Sequence, residues 1–497
     1  MRRFGASCLL AAPVLLQGCA TESLHERSWV ALRTAHYDIV SALSAKQTHS
    51  LARDLEVFRA GAEHALGIPL PPETLRTRVF AFDGRAIIRP FDMRGVSGYF
   101  LPSLAGDAIV LRTGEGWGDA TDELRARHVR QLLRAHDAHK RPLWYEEGLG
   151  AFASSIDVRG WEARVGLPRT DYVRLLRDWH RSSLQELLTT EDFEASSAKD
   201  RERFDAQAWA LVHYAKLGRG IRSGPRRPLV QFRSLLDDGV APLRAAETAF
   251  EADPAELADR VMEYVGRDRM SWFAVKPPRP SAESTPKLRP LPKTDVLLHL
   301  GWLSIELVRA DTARGYFEMA LRSDAANAEA RAGLGASDCI EARWSEAQDQ
   351  FQRSLAAAPD DPAVQLQAGN CDRARAAASA LPAEREEWVR QARAHYRRIG
   401  KGDEAFPEAL AMLGASYLLP GQDPKLGVAP LEAAARLLPG SLEIELLQAR
   451  LQAALGSPGL ASLQAREVFS RSGSRRLQEE AREFLQSLDS ARSASRR

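Results

Sequence analysis

The residues best suited to chemistry crowd into one stretch of the 497-residue chain: His128, His136, His139, Glu146 and Glu147. Imidazole and carboxylate are common donors to zinc and common carriers of protons, so metal-assisted hydrolysis and general acid–base work are the chemistries to consider. His136 and His139 lie three apart and share a face if both are helical; Asp137, not a glutamate, follows His136. The other reading of these two is a solvent-facing helix end, where cationic side chains suit the macrodipole. Glu146 and Glu147 are neighbours, and neighbours on a helix point in different directions, so one is expected to face a cleft and the other water. His213 shares its segment with Trp209 and reads as a satisfied core or cleft histidine. Ser97 and Ser103 lack a nucleophile elbow, and the Gly114–Gly118 run has no phosphate-binding lysine.

The elements that must position these groups are legible in outline. Residues 121–139 carry Leu124, His128, Gln131, Leu132 and Ala135 on related helical faces, and 142–155 and about 170–264 also read as helical. Within the latter, Phe204 to Leu217 is amphipathic and holds Trp209, Val212, His213 and Tyr214. Residues 20–66 read as mostly helical after a short tether, with Leu51, Leu55, Phe58 and Ala62 on one face. Arg78–Phe82, Gly98–Phe100 and Ala108–Leu111 read as strands between glycine turns, a small antiparallel sheet of three or four strands.

The run Pro142-Leu143-Trp144-Tyr145-Glu146-Glu147-Gly148-Leu149-Gly150-Ala151-Phe152 resembles the third-ligand helix of gluzincin metallopeptidases, and more narrowly the peptidase-MA-like family of bacterial envelope proteins. The resemblance covers about residues 29–265 in order, opening at Trp29–Tyr37 and closing on the Phe204–Tyr214 helix. It implies an α+β gluzincin-like domain over 29–268 in which Glu147 stands at the zinc-binding glutamate and His128 at the first histidine of a His-Glu-x-x-His helix. The remainder of that motif is missing. Val129 stands where the general base belongs and Leu132 where the second histidine belongs, and neither can accept a proton or hold a metal. The expectation is a degenerate site with His128 and Glu147 as remnants, no catalytic residue and no cofactor. Cleft candidates are Trp144, Tyr145, His136, His139 and His213. The alternative is an active zinc peptidase with a rearranged ligand set, drawn from His128, His136 or His139, and Glu147.

Residues 269–293 are rich in proline (Pro277, Pro278, Pro280, Pro286, Pro290, Pro292) and read as an extended tether. Beyond it, over 294–490, positions recur at a spacing of 34: Leu300-Gly301 with Leu334-Gly335, and Ala313, Phe317 and Leu321 with Ala347, Phe351 and Leu355. This period, with Pro359 closing a turn, resembles the tetratricopeptide repeat and implies an all-α superhelix whose concave face grips a protein or peptide. After an insertion around 374–390, Leu413-Gly414 and Leu431–Ala434 with Pro439 read as a diverged copy.

Arg2 and Arg3, the apolar run Cys8–Leu16 and then Leu16-Gln17-Gly18-Cys19 resemble a lipoprotein signal with its lipobox. The resemblance implies cleavage after residue 18, a lipid on Cys19, a tether over 19–28 and, with Ala20 rather than aspartate next, the outer membrane, periplasmic face. An oxidising compartment permits a disulfide between Cys339 and Cys371, but both fall within helical repeats, where the favoured reading is a small buried hydrophobe. The 68 basic and 66 acidic residues leave +2, which gives no reason to expect a nucleic-acid partner. The C-terminal arginines, Arg471 to Arg497, read as a solvated tail. The expected protein is a lipid-anchored, non-catalytic binding scaffold for an envelope protein or peptide.

Overall fold

The computed structural model describes residues 24–495 apart from 85–90, 92–96, 115, 138, 177–183, 193–196, 219–226, 268 and 282–285; Cys19 and its lipobox-like segment lie outside the described residues. The chain opens with β1 (Val30–Arg33) and β2 (Tyr37–Ser41), then α1 (Ala45–Leu66), β3 (Thr77–Asp83), β4 (Gly98–Leu101) and β5 (Ala108–Thr113). Ser44 and Gln47 form a reciprocal capping box at the start of α1, and Gly67 ends it at φ 69°. The helical reading of 20–66 therefore needs correction: two strands precede α1, and each is too short for its alternation to stand out.

The sheet runs β4-β5-β3-β2-β1-β9, the last strand being Arg289–Pro290 from beyond residue 265, and is mixed, not antiparallel as expected. β2 pairs with β3 in parallel, as does β3 with β5. The cause is connectivity: α1 crosses over between β2 and β3, and a crossover returns the chain in the same direction. β3 and β5 are buried on both faces. Val79, Ala81, Ile109 and Leu111 join a core with Leu55 and Phe58 of α1. Phe80, Phe82, Ala108 and Val110 join a second core with Trp29 and the first helices beyond the linker. Double burial explains why these strands read as near-continuous apolar runs.

Next come α2 (Asp122–His136), α3 (Leu143–Ser154), β6 (Asp157–Arg159), β7 (Glu162–Val165), α4 (Thr170–Leu176), α5 (Leu184–Thr189), α6 (Ala198–Leu217), α7 (Pro228–Asp237), α8 (Pro242–Phe250) and α9 (Pro254–Val265). The proline-rich stretch is not a free tether. It contributes β8 (Phe273–Val275), paired with β7, and β9 (Arg289–Pro290), paired with β1. Proline favours extended backbone and is tolerated on edge strands, so the same composition straps the segment along the domain.

The second half is a run of paired helices: α10 (Lys293–Glu306), α11 (Ala310–Ser323), α12 (Ala328–Ile340), α13 (Trp344–Ala357), α14 (Pro362–Ala378), α15 (Pro382–Arg398), α16 (Phe406–Ser416), α17 (Val428–Leu437), α18 (Leu442–Ala454), α19 (Pro458–Arg471) and α20 (Arg475–Ser495). The repeated glycines set helix spacing. A Cβ on Gly301 or Gly333 would come within 2.6 or 2.3 Å of the Phe317 ring, and one on Gly335 within 2.8 Å of Phe351. The insertion around 374–390 is absorbed by lengthening α14 and α15. Arg471 and Arg476 do not belong to a solvated tail: Arg471 pairs with Glu146 and Arg476 with Glu443. Among the described residues no helix is long and apolar enough to cross a membrane.

Cys339 and Cys371 are bonded, with Cα atoms 5.7 Å apart at a sequence separation of 32, tying α12 to α14. Closing a loop of that length is worth about 3–4 kcal/mol in chain entropy. Denaturant unfolding of Cys339→Ala/Cys371→Ala against the oxidised parent is expected to report a loss of that order; equal stability would place the stabilisation elsewhere.

Candidate functional site

α2 and α3 lie side by side beneath the sheet, and α6 covers the far side of α3. Thr121 caps α2 by accepting from the Leu124 amide. Two glycines let α3 fit between its neighbours: a Cβ on Gly148 would sit 2.5 Å from the Ala208 carbonyl of α6, and one on Gly150 2.9 Å from Arg130 Cγ of α2. The Glu147-Gly148-Leu149-Gly150 pattern is thus explained by helix packing alone.

Both glutamates are buried, Glu146 at 3% and Glu147 at 2% exposure, so neither faces water as expected of one of them. Each has its own arginine. Glu147 Oε2 accepts from Arg130, and burial notwithstanding, Glu147 and Glu123 hold that guanidinium firmly in its charged form. Glu146 accepts from Arg134 Nε at 3.0 Å and from Arg471 Nη1, on α19, at 2.7 Å. Asp205 of α6 is close enough to feel the charge of Glu147; burial first and that charge second push its carboxyl up to about 8. Glu147 Oε1 and Asp205 Oδ1 are buried without a hydrogen-bond partner.

His128 lies elsewhere. Its Nε2 is 2.9 Å from the Tyr37 hydroxyl, and the rings of Phe58, Phe100 and Trp117 surround it. Burial, and then the charge of Arg59, lower its pKa to about 3, so the ring is neutral at neutral pH. Its Nδ1 has no hydrogen-bond partner, and the side chain lines a cavity of about 220 Å³ with Gln131, Leu132, His136, Pro71 and Leu438. Val129 and Leu132 are packed into the main core.

The other candidates disperse. His136 sets Nδ1 2.9 Å from the Leu132 carbonyl and Nε2 2.8 Å from the Pro71 carbonyl; both partners accept, so a neutral ring donates to only one of them. His139 lies beyond α2, exposed, 3.1 Å from Asp237. Trp144 and Tyr145 line no cleft: both are buried and pack on Phe232, with ring centroids 5.0 and 5.9 Å apart. His213 is a core histidine. Its Nε2 is 2.9 Å from the Gly166 carbonyl and must donate to it, so its Nδ1 accepts from Tyr264 Oη at 2.7 Å. Among the described residues no group of three His, Cys, Asp or Glu gathers that would hold a metal ion. The residues present do not fit zinc: one histidine is committed to a tyrosine, one glutamate to an arginine, and carbon fills the remaining positions.

The residues that sequence reasoning passed over are Arg130 and Arg134. Their spacing of four puts both on one face of α2, opposite the Glu146–Glu147 pair, and that charge complementarity was the available signal.

No family model matches the chain, and no curated protein matches it. Among solved structures it is similar to a thermophilic TPR protein from Thermus thermophilus, at 19% identity and a TM-score of 0.35, over 39% of this chain and 98% of that one.

Two outcomes follow from this geometry. Removing one member of a buried ion pair strands the other, at about 3–5 kcal/mol. Arg130→Met and Glu147→Leu are each expected to cost that much, and the double variant at least about 2 kcal/mol less than their sum; strict additivity in denaturant titrations contradicts the pairing. Burial also holds His213 down at about 4 against an ordinary 6.5. Between those values the unfolded chain binds a proton that the folded chain refuses, so stability falls as pH drops through that window, by at most about 1.4 kcal/mol per unit. His213→Gln is expected to give a shallower slope than the parent in thermal melts at stepped pH; an unchanged slope contradicts the assignment.

Proposed function

We propose that this chain is an envelope lipoprotein, held on the periplasmic face of the outer membrane by a lipid on Cys19, that binds a protein or peptide without cleaving it. Its first domain is read as a gluzincin-like fold that has lost hydrolysis, and its helix pairs as the scaffold of a tetratricopeptide-repeat protein.

The observation that carries this reading is the pairing of Arg130 with Glu147. In a zinc peptidase that glutamate is a ligand; here a guanidinium from the same turn of helix as the first histidine position takes its charge. A metal-bound water needs a general base to become a nucleophile, and Val129 offers none. What remains beside α2 is shape, a cavity of about 220 Å³ lined by polar groups such as Gln131 and His136 as well as by Leu132 and Leu438. That combination suits the recognition of a short polar segment held by hydrogen bonds. The zinc-peptidase alternative requires a ligand set that these residues do not assemble.

Binding and cleavage separate in one experiment. The purified chain, immobilised and exposed to a proteolytic digest of envelope proteins, is expected to retain a subset of peptides intact, with no new termini by mass spectrometry. Zinc-dependent, chelator-sensitive cleavage lost in Glu147→Gln would instead establish the peptidase. For the anchor, Cys19→Ser is expected to release the chain from the membrane fraction and to abolish incorporation of labelled fatty acid; membrane retention without Cys19 would contradict lipidation.

A further inference from the structure

The first domain and the helix pairs meet at two ends that differ in kind. At α10 and α11 the contact is dry: Phe80, Phe82 and Val110 of the sheet share one core with Leu297, Leu300 and Phe317. Arg78 closes that end with a two-pronged contact to Glu306, at 2.5 and 2.9 Å. At α17–α20 the contact is charged and hollow. Lys140 bridges Glu445 and Glu467. Arg471 reaches Glu146 and, at 2.9 Å, the Arg141 carbonyl. Arg127 and Arg201 donate to the carbonyls of Gly473 and Ser470. Cavities of about 220 and 280 Å³ remain along the seam. Gly440, at φ 74°, lets the α17–α18 turn press on the backbone of Arg134, 2.6 Å from where its Cβ would stand.

α18–α20 hold together on their own. Leu442, Leu446, Val468, Leu477 and Leu485 form a core to which no residue of the first domain belongs. Across the seam, the first domain sends Leu104 into a small apolar group with Ala411, Ala434 and Ile444.

We propose that α17–α20 form a gate, anchored through α10–α16, that swings off α2 to widen the partly open cavity lined by Gln131 and His136 enough to admit a peptide. Three features make this the moving end. The Lys140 pairs with Glu445 and Glu467 border water and are weakened by salt, whereas the buried Arg471–Glu146 pair and the apolar contact at α10–α11 are screened far less. A seam with voids forgoes dispersion contacts on both walls. A charged interface within a chain is the kind across which domains move, while a large apolar one is not. The gate rests on the peptide-binding reading for its purpose but not for its mechanics.

The test uses the full chain with Gln131→Cys, a reporter inside the cavity, its alkylation by a small iodoacetamide followed by peptide mass spectrometry so that other cysteines do not interfere. Labelling is expected to accelerate at least tenfold when Lys140→Glu is added, and to return toward the parental rate when Glu445→Lys and Glu467→Lys restore opposite charges. Raising salt from about 0.05 to 0.5 M is expected to accelerate labelling in the Gln131→Cys parent. Lys140 is half exposed, so its replacement leaves the fold intact, which circular dichroism verifies. The gate is overturned if labelling is the same in all three backgrounds and at both salts, or if it tracks global unfolding in denaturant. If the gate opens as described and no peptide is retained, the binding reading falls and the gate stands. If peptides are retained while labelling never changes, the gate falls alone.

Discussion

A carboxylate taken out of water must meet a positive charge or give up its own. Glu146 and Glu147 are both buried, side by side, on a helix wedged between two others, and the organisation of the crevice follows from how their charges are met. Arg130 meets one; Arg134 and, from the far end of the chain, Arg471 meet the other. A guanidinium is charged at every physiological pH and needs no recruitment from solution, so this arrangement supplies its own cations. It also commits the carboxylates. An oxygen that accepts from an arginine is a poor candidate for a metal ligand, and a crevice neutralised by side chains has little call on an added dication.

The same constraint joins the two halves. Because one of the arginines on Glu146 comes from α19, the helix pairs fold back over the first domain and do not project from it. The sheet adds a second tie. Its strands carry apolar residues on both faces, and the face not covered by α1 and α2 is completed by α10 and α11. Leu104 of the first domain is seated among α16, α17 and α18.

The sequence made some of this legible and left some hidden, for physical reasons. The repeat at a spacing of 34 was readable because glycine and phenylalanine must recur together wherever helices approach closely, and Gly301, Gly335, Phe317 and Phe351 do so. α2 and the Phe204–Leu217 part of α6 were readable from their apolar patterning, whereas α3, buried along its whole length, carries no such period. The strands β1 and β2 were not, since four or five residues carry too few alternations, and the parallel pairing of β2 with β3 depends on a crossover that no local pattern encodes. Proline content read as a tether because composition gives backbone preference, not docking. At the crevice, the apolar residues Val129 and Leu132 were visible as letters. The places of Trp144 and Tyr145 in the core, and of Arg130 on Glu147, were set by three-helix packing around Gly148 and Gly150, which spans distant segments.

The most direct test of this account is crystallographic. Crystals of the chain soaked in zinc, with data collected at the zinc absorption edge, are predicted to show Arg130 on Glu147 and no anomalous peak beside that carboxylate. A peak about 2.0–2.2 Å from a Glu147 oxygen, with the guanidinium turned away, would contradict it.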